Sequence, residues 1–242
     1  MRDAPIKTSA FRQGIREVSA TAKEELGTLR VLQDGRKFRY AKAGAAALAV
    51  GKATVAAAIA AAHADAVIAA ANTSGTQVTL TVTAGTAIAE NALAGGYMMV
   101  NDGILEGNCF RIDSNTAMAS DGTAITLGLV DPVVGYTGAT EVTLCHNPFS
   151  GLIISATPEA MPTGIAPVTV PAGYYFWTQT GGPCAALIVG TPAVGTMLTH
   201  GATDGSVGAI NTTLDIDQPI IGVSWGLAGV ATEYQPVFLT ID

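Results

Sequence analysis

The chain has 242 residues, of which 49% are apolar and 13% charged, with a formal net charge of −7. The apolar share leans on Ala, Val, Gly and Ile with few aromatics, which excludes a chain disordered throughout and favours short strands joined by tight turns. So little charge leaves much of a lone subunit poorly covered, and part of its surface is expected to be buried against identical copies or a larger assembly.

Charge is also distributed unevenly. Eleven of the twelve basic residues lie between Arg2 and Lys52, so residues 1–52 balance at +6 and residues 53–242 at −13. This pattern predicts a basic arm over residues 1–50 attached to an acidic body, with an anionic surface as the arm's partner. Within the arm, Ser19–Leu26 is compatible with a short helix stopped by Gly27. Thr28–Leu32 and Lys37–Ala41 flank Asp34-Gly35, a hairpin signal that would bring Arg30, Arg36, Lys37 and Arg39 together. Residues 41–72 are Ala-rich and ambiguous between helix and extended chain.

From Gln77 the period becomes two, with Val78, Leu80 and Val82 on one face and three Thr on the other. Similar strands are expected at Tyr97–Val100, Cys109–Asp113, Ala124–Leu129 and Glu141–Cys145, with Asp102-Gly103 as a hairpin turn. Pro148, Pro158, Pro162, Pro167 and Pro171 read as a connecting strap near a boundary at 150. Strands follow at Tyr174–Gln179, Ala185–Val189, Ile220–Trp225 and Pro236–Ile241. The expected architecture is mainly β: an extended basic N-terminal arm (1–50) followed by two small β-barrel or β-sandwich domains, 51–150 and 151–242.

No stretch completes a catalytic pattern. Gly222-Val223-Ser224-Trp225-Gly226 matches the nucleophile elbow G-x-S-x-G, but no histidine follows His200 to take the serine proton. Gly51-Lys52 resembles the end of a phosphate loop, yet Ala46 and Ala53 stand where a glycine and a metal-binding hydroxyl are required. His63, His146 and His200 lack ligand spacing, and Cys109, Cys145 and Cys184 form no paired motif, so no metal, cofactor or disulfide is expected. Asp113-Ser114-Asn115 and Asp215-Ile216-Asp217 read as turns, not as a calcium loop. Ala53–Ala71 is broken by His63 and Asp65, which argues against a membrane span, and the amino terminus lacks the apolar core of a secretory signal. Tyr174, Tyr175, Phe176 and Trp177 form a cluster expected to pack in the core or in a subunit interface; a base- or sugar-stacking role is the other option. Residues 112–242 contain no Lys or Arg, so nucleic acid is not an expected partner.

Four stretches, Arg36–Gly44, Gly96–Gly103, Ala172–Pro183 and Thr232–Ile241, resemble structural proteins of tailed bacteriophages, in particular capsid decoration or head cement proteins. The resemblance implies a non-enzymatic β protein, made in the host cytoplasm and seated on the exterior of the virion capsid, often as a trimer. Its partners would be the major capsid protein and further copies of itself. Arg12, Arg16, Arg30, Arg36, Lys37 and Arg39 would dock on shell carboxylates, with Tyr174–Trp177 mediating self-association. A second expectation, from a different class, is a head- or fibre-associated carbohydrate-binding module using Tyr174–Trp177, and a third is a Ser224 hydrolase.

Overall fold

The computed structural model of the chain describes residues 10–68, 74–136, 138–154, 160–201, 203–210, 218–226 and 232–242. The front of the expected arm, the end of the Ala-rich segment, the Asp215–Asp217 turn and the stretch after the Ser224 motif lie outside these. Sixteen strands appear among the described residues: β1 (Leu29–Val31), β2 (Lys37–Lys42), β3 (Ala53–Val55), β4 (Ala66–Ile68), β5 (Ser74–Thr81), β6 (Tyr97–Asp102), β7 (Cys109–Asn115), β8 (Ala124–Val134), β9 (Glu141–Cys145), β10 (Ile153–Ile154), β11 (Pro162–Ile165), β12 (Tyr175–Leu187), β13 (Met197–His200), β14 (Val207–Ala209), β15 (Gly222–Ser224) and β16 (Tyr234–Thr240). One 3₁₀ turn at Ala61–His63 is the only helix among the described residues, so the fold is mainly β.

Two compact units result. One is the continuous segment Ala58–Pro148; the other joins residues 10–57 to Phe149–Asp242. In the first, six strands close into a barrel in the order β4-β5-β8-β7-β6-β9, every pairing antiparallel. Alternation decides what fills it: Val78 and Leu80 of β5, Met98 and Val100 of β6, Ile125 and Leu127 of β8, and Val142 and Leu144 of β9 point inward and are buried. The amide of Asn115, also buried, accepts from the Leu93 N–H and donates to the carbonyls of Ala89 and Thr116, which fixes the chain covering the barrel.

The second unit is a ten-stranded antiparallel sheet whose main path runs β10-β3-β11-β12-β16-β15-β13-β14, with β2 added beside β12 and β1 beside β2. The β1–β2 hairpin forms as its Asp-Gly turn predicts, pairing Arg30 with Phe38, and Gly35 adopts a φ of 85°. Elsewhere four expectations fail, the first being the Asp113-Ser114-Asn115 turn, which is the end of strand β7. Ser19–Leu26 is not a helix: Ser19 bridges to Tyr175, and the Lys23 N–H donates to the Tyr40 hydroxyl, so tertiary partners take the groups a helix would need. Tyr174–Gln179 and Ala185–Val189, expected as separate strands, are one: the 13-residue β12 runs on through Gly181-Gly182-Pro183 and trades one neighbour for another. Its first half pairs with β2 and its second half with β16, with a register shift where Gly181 passes Lys37. The proline strap contains two short strands, β10 and β11, which both pair with β3.

Candidate interaction surface

The largest departure concerns the basic segment. Residues 10–50 do not form an extended arm; they fold into the sheet unit, and most of the expected docking cations are satisfied there. Arg39 makes a two-pronged contact with Asp242, Nε and Nη2 each 2.9 Å from a carboxylate oxygen, while its Nη1 donates to the Gly27 carbonyl. Lys37 donates to the Asp242 main-chain oxygen at 3.0 Å. The hydrogen bonds that Arg39 donates to Asp242 raise the Arg39 pKa. Burial works to raise the Asp242 carboxyl, but the hydrogen bond and charge of Arg39, with Lys37, hold it below the usual range. Arg30 donates to the Gln13 carbonyl and lies over the Phe11 ring, 4.6 Å from its centroid, and Arg36 pairs with Asp34 at 2.8 Å. Of the six expected docking residues, only Arg12 and Arg16 are exposed.

Of the roles expected for the aromatic cluster, core packing is the one that Phe176 and Trp177 adopt. Phe176 and Trp177 are fully buried, so neither supplies surface for self-association or for stacking on a sugar. Trp177 meets Phe11 edge-on at 5.2 Å and Tyr40 at 5.0 Å, and its indole N–H donates to the Gln13 carbonyl. Gln13, 3% exposed, ties the cluster together: its amide donates to the carbonyls of Glu17 and Tyr175 and accepts from the Tyr40 hydroxyl. Sequence reading missed this residue, since an isolated glutamine in a charged stretch carries no periodic signal.

Neither enzyme-like motif has the geometry its chemistry needs. Ser224 is buried within β15, paired on one side with β16, and is not displayed at a sharp turn. Lys52 leads directly into strand β3, where a phosphate loop would open a helix. His200 is buried, and burial pushes its pKa down to about 4 against an opposing contact from the Ala160 backbone. Among the described residues no helix is long and apolar enough to cross a membrane, and no group of three or more His, Cys, Asp or Glu is placed to hold a metal ion.

The sheet unit exposes an apolar face instead. Pairing aligns Pro183 of β12 with Phe238 of β16, Phe238 with Val223 of β15, and Val223 with Met197 of β13, an uncharged row across four strands. Val237 and Leu239, next to Phe238, and Leu198, next to Met197, point the other way, into the core, as does Ala186 of β12. Farther along lie Trp225, 58% exposed, with its main-chain N–H donating to the Pro236 carbonyl, and Tyr234, 52% exposed. Phe238 is 43% exposed and Met197 49%. Because an aromatic side chain covers roughly 150–250 Å² when buried, these side chains present a few hundred Å² of apolar surface, about the most that free monomers usually leave uncovered. The strand alternation in Tyr234–Thr240 carried this signal, but the sequence reading used it only to place a strand. The chain matches no family model, no curated protein and no solved structure.

Proposed function

We propose that this chain is a non-enzymatic structural protein of a tailed-phage virion, a decoration subunit that seats on the capsid exterior and links neighbouring shell subunits, with its copies grouped as trimers. The observation that carries the reading is the uncharged row Met197-Val223-Phe238-Pro183 with the exposed Trp225 and Tyr234 beside it. An apolar face of this kind is stabilised by a permanent neighbour, and its depletion in charge matches the buried centre of a subunit interface. The resemblance of four stretches to head cement proteins names the neighbour's class. Docking therefore rests mainly on apolar contact, with Arg12 and Arg16 adding weak, screened attraction of about 0–1 kcal/mol each. The test is co-sedimentation of the purified protein with undecorated heads. Wild type should saturate them; Phe238→Ser with Trp225→Ser should reduce occupancy at least tenfold while preserving the fold. Full occupancy by that double variant would refute docking through this face.

The exposed aromatics also favour a second reading, a carbohydrate-binding module on the head or fibre, because Trp225 and Tyr234 offer ring faces for sugar stacking where Trp177 cannot. Binding to a host glycan that is lost in Trp225→Ala, with head occupancy unchanged, would select it.

A further inference from the structure

Four aspartates in the chain are followed directly by glycine: Asp34-Gly35, Asp102-Gly103, Asp121-Gly122 and Asp204-Gly205. Such a pair can react with itself, because glycine has no side chain to keep its nitrogen away from the neighbouring carboxyl. The fold treats the four differently, and in three it withdraws a reacting group. The Gly35 N–H donates to the Leu32 carbonyl at 3.0 Å, while both carboxylate oxygens of Asp34 are held by Arg36, one by its main-chain N–H and the other by its Nε. The Gly122 N–H donates to the Ala119 carbonyl at 2.9 Å. Gly205 is buried, wedged against the side chains of Lys52 and Ile154, and its carbonyl accepts from the Ala53 N–H.

Asp102-Gly103 differs from all three. Both residues are exposed at the end of β6, and the Gly103 N–H donates to Oδ1 of Asp102 itself at 2.7 Å. Oδ1 is one bond from Cγ, so this contact holds the carboxyl carbon beside the nitrogen that would attack it. The carboxyl torsion of an aspartate is soft, and a rotation about the Cβ–Cγ bond turns the face of the carboxyl towards that nitrogen. We propose that Asp102-Gly103 is a self-modification site, at which the chain closes a cyclic imide and then opens it to an isoaspartyl linkage, with water as the only co-reactant.

In the first step the Gly103 nitrogen bonds to Cγ of Asp102 and closes a five-membered ring; the amide proton and the hydroxyl of the neutral carboxyl leave as one water. In the second, a water opens the ring. Breaking the bond between the nitrogen and Cγ restores aspartate, whereas breaking the bond between the nitrogen and the main-chain carbonyl carbon leaves Gly103 attached through the side chain. Nothing is oxidised or reduced, and the isoaspartyl product has the mass of the starting chain. Asp102 stands opposite Glu141 of β9, just past Asn101, whose amide is anchored to Asp65 and Thr143. The product therefore inserts a methylene into the backbone where β6 leaves the barrel wall, and it moves a carboxylate from the side chain to the main chain.

The experiment keeps the whole folded protein at physiological temperature in mildly acidic buffer for several weeks, then scores the peptide around each Asp-Gly pair for isoaspartate by electron-transfer fragmentation. Asp102 should convert about tenfold or more faster than Asp34, Asp121 or Asp204, the margin that alignment of reacting groups supplies. A parallel incubation in urea, where all four pairs lose their turns, should bring the rates level, a readout that needs no variant to fold. Hydroxylamine, which cleaves the imide, should cut the folded chain after Asp102. Asp102→Glu, which cannot close the five-membered ring, should abolish that cut and leave the other three pairs unchanged. Conversion at Asp102 no faster than at the other pairs in the folded protein, or the same preference for Asp102 in urea, would overturn the site.

Discussion

The barrel and the sheet unit solve the same problem, how a charge-poor β chain holds itself together, by different means. The barrel has no free edge, a largely aliphatic interior and two buried amides that donate to main-chain carbonyls, Asn115 and Asn147. The sheet unit is open, and it is held by an aromatic and polar knot in which Gln13, Tyr40 and Trp177 fasten residues 10–27 to β2 and β12. Their charges differ in the same way. Residues 58–148 carry eight acids against Arg111 alone, whereas residues 10–57 and 149–242 together carry nine bases against ten acids. The two-ended sequence thus becomes a nearly neutral unit and an acidic one. Strands that are far apart in the chain neutralise one another, as Arg39 and Asp242 show, and a linear charge profile cannot reveal that pairing.

The contrast predicts where stability resides, and five changes would sharpen or break it. Trp177→Ala should have the largest effect, a loss of about 3–5 kcal/mol, because it empties a fully buried site. Segment-resolved hydrogen exchange should show β2 and β12 opening while β5 and β8 stay protected; equal loss of protection in the barrel would erase the distinction.

Acidification comes next. His200 titrates near 4 in the folded sheet unit against 6.5 ordinarily, so it is held neutral and the unfolded chain takes up its proton first. Stability should fall as pH drops from 6.5 to 4 by as much as about 3 kcal/mol, less wherever water reaches the ring. Denaturation midpoints should show this slope, and His200→Gln should flatten it.

Gln13→Leu should cost about 1–3 kcal/mol by leaving the Tyr40 hydroxyl without its acceptor and the Tyr175 carbonyl without the Gln13 donor; adding Tyr40→Phe should recover part of the loss in a double-mutant cycle. Arg39→Ala should cost about 1 kcal/mol, since the forked pair with Asp242 is only partly exposed. The Asp242 carboxyl is depressed, so its contribution is present above its ordinary pKa and disappears as pH falls through its lower folded value. A thermal melt series below pH 4 should therefore converge for wild type and Arg39→Ala. The smallest effect belongs to Arg12→Glu with Arg16→Glu, which should leave the melting temperature within the shift expected of about 0.5 kcal/mol, both residues being exposed.

Much of the fold was legible wherever one face of a strand is buried and the other solvated. The Gln77–Thr83 alternation, the Asp34-Gly35 turn and Glu141–Cys145 appear where period and turn chemistry place them. Long β12 was not legible, because glycine and proline ordinarily signal a turn and here they mark a change of pairing partner. The destination of the cations was hidden for a related reason. An arginine in a flexible arm and one clamped by a carboxylate 203 residues away look identical in sequence. Of the proposed docking face, Phe238 lay in the expected strand Pro236–Ile241, and Val223 and Trp225 in the expected strand Ile220–Trp225. They come together with Met197 through the β13-β15-β16 pairing, which no local pattern encodes.

One feature of connectivity governs how the molecule must be made. The barrel's segment is inserted between the two halves of the sheet unit, so β2 and β3 leave the ribosome long before their partners β10, β11 and β12 are translated. Among the sheet unit's strands, only the β1–β2 hairpin can pair during that interval. The barrel can mature while the first fifty or so residues wait with Phe38 and Tyr40 uncovered, and such delayed closure is slow and prone to mispairing. A chaperone that shelters this nascent segment would then matter more to yield than the stability of the finished protein.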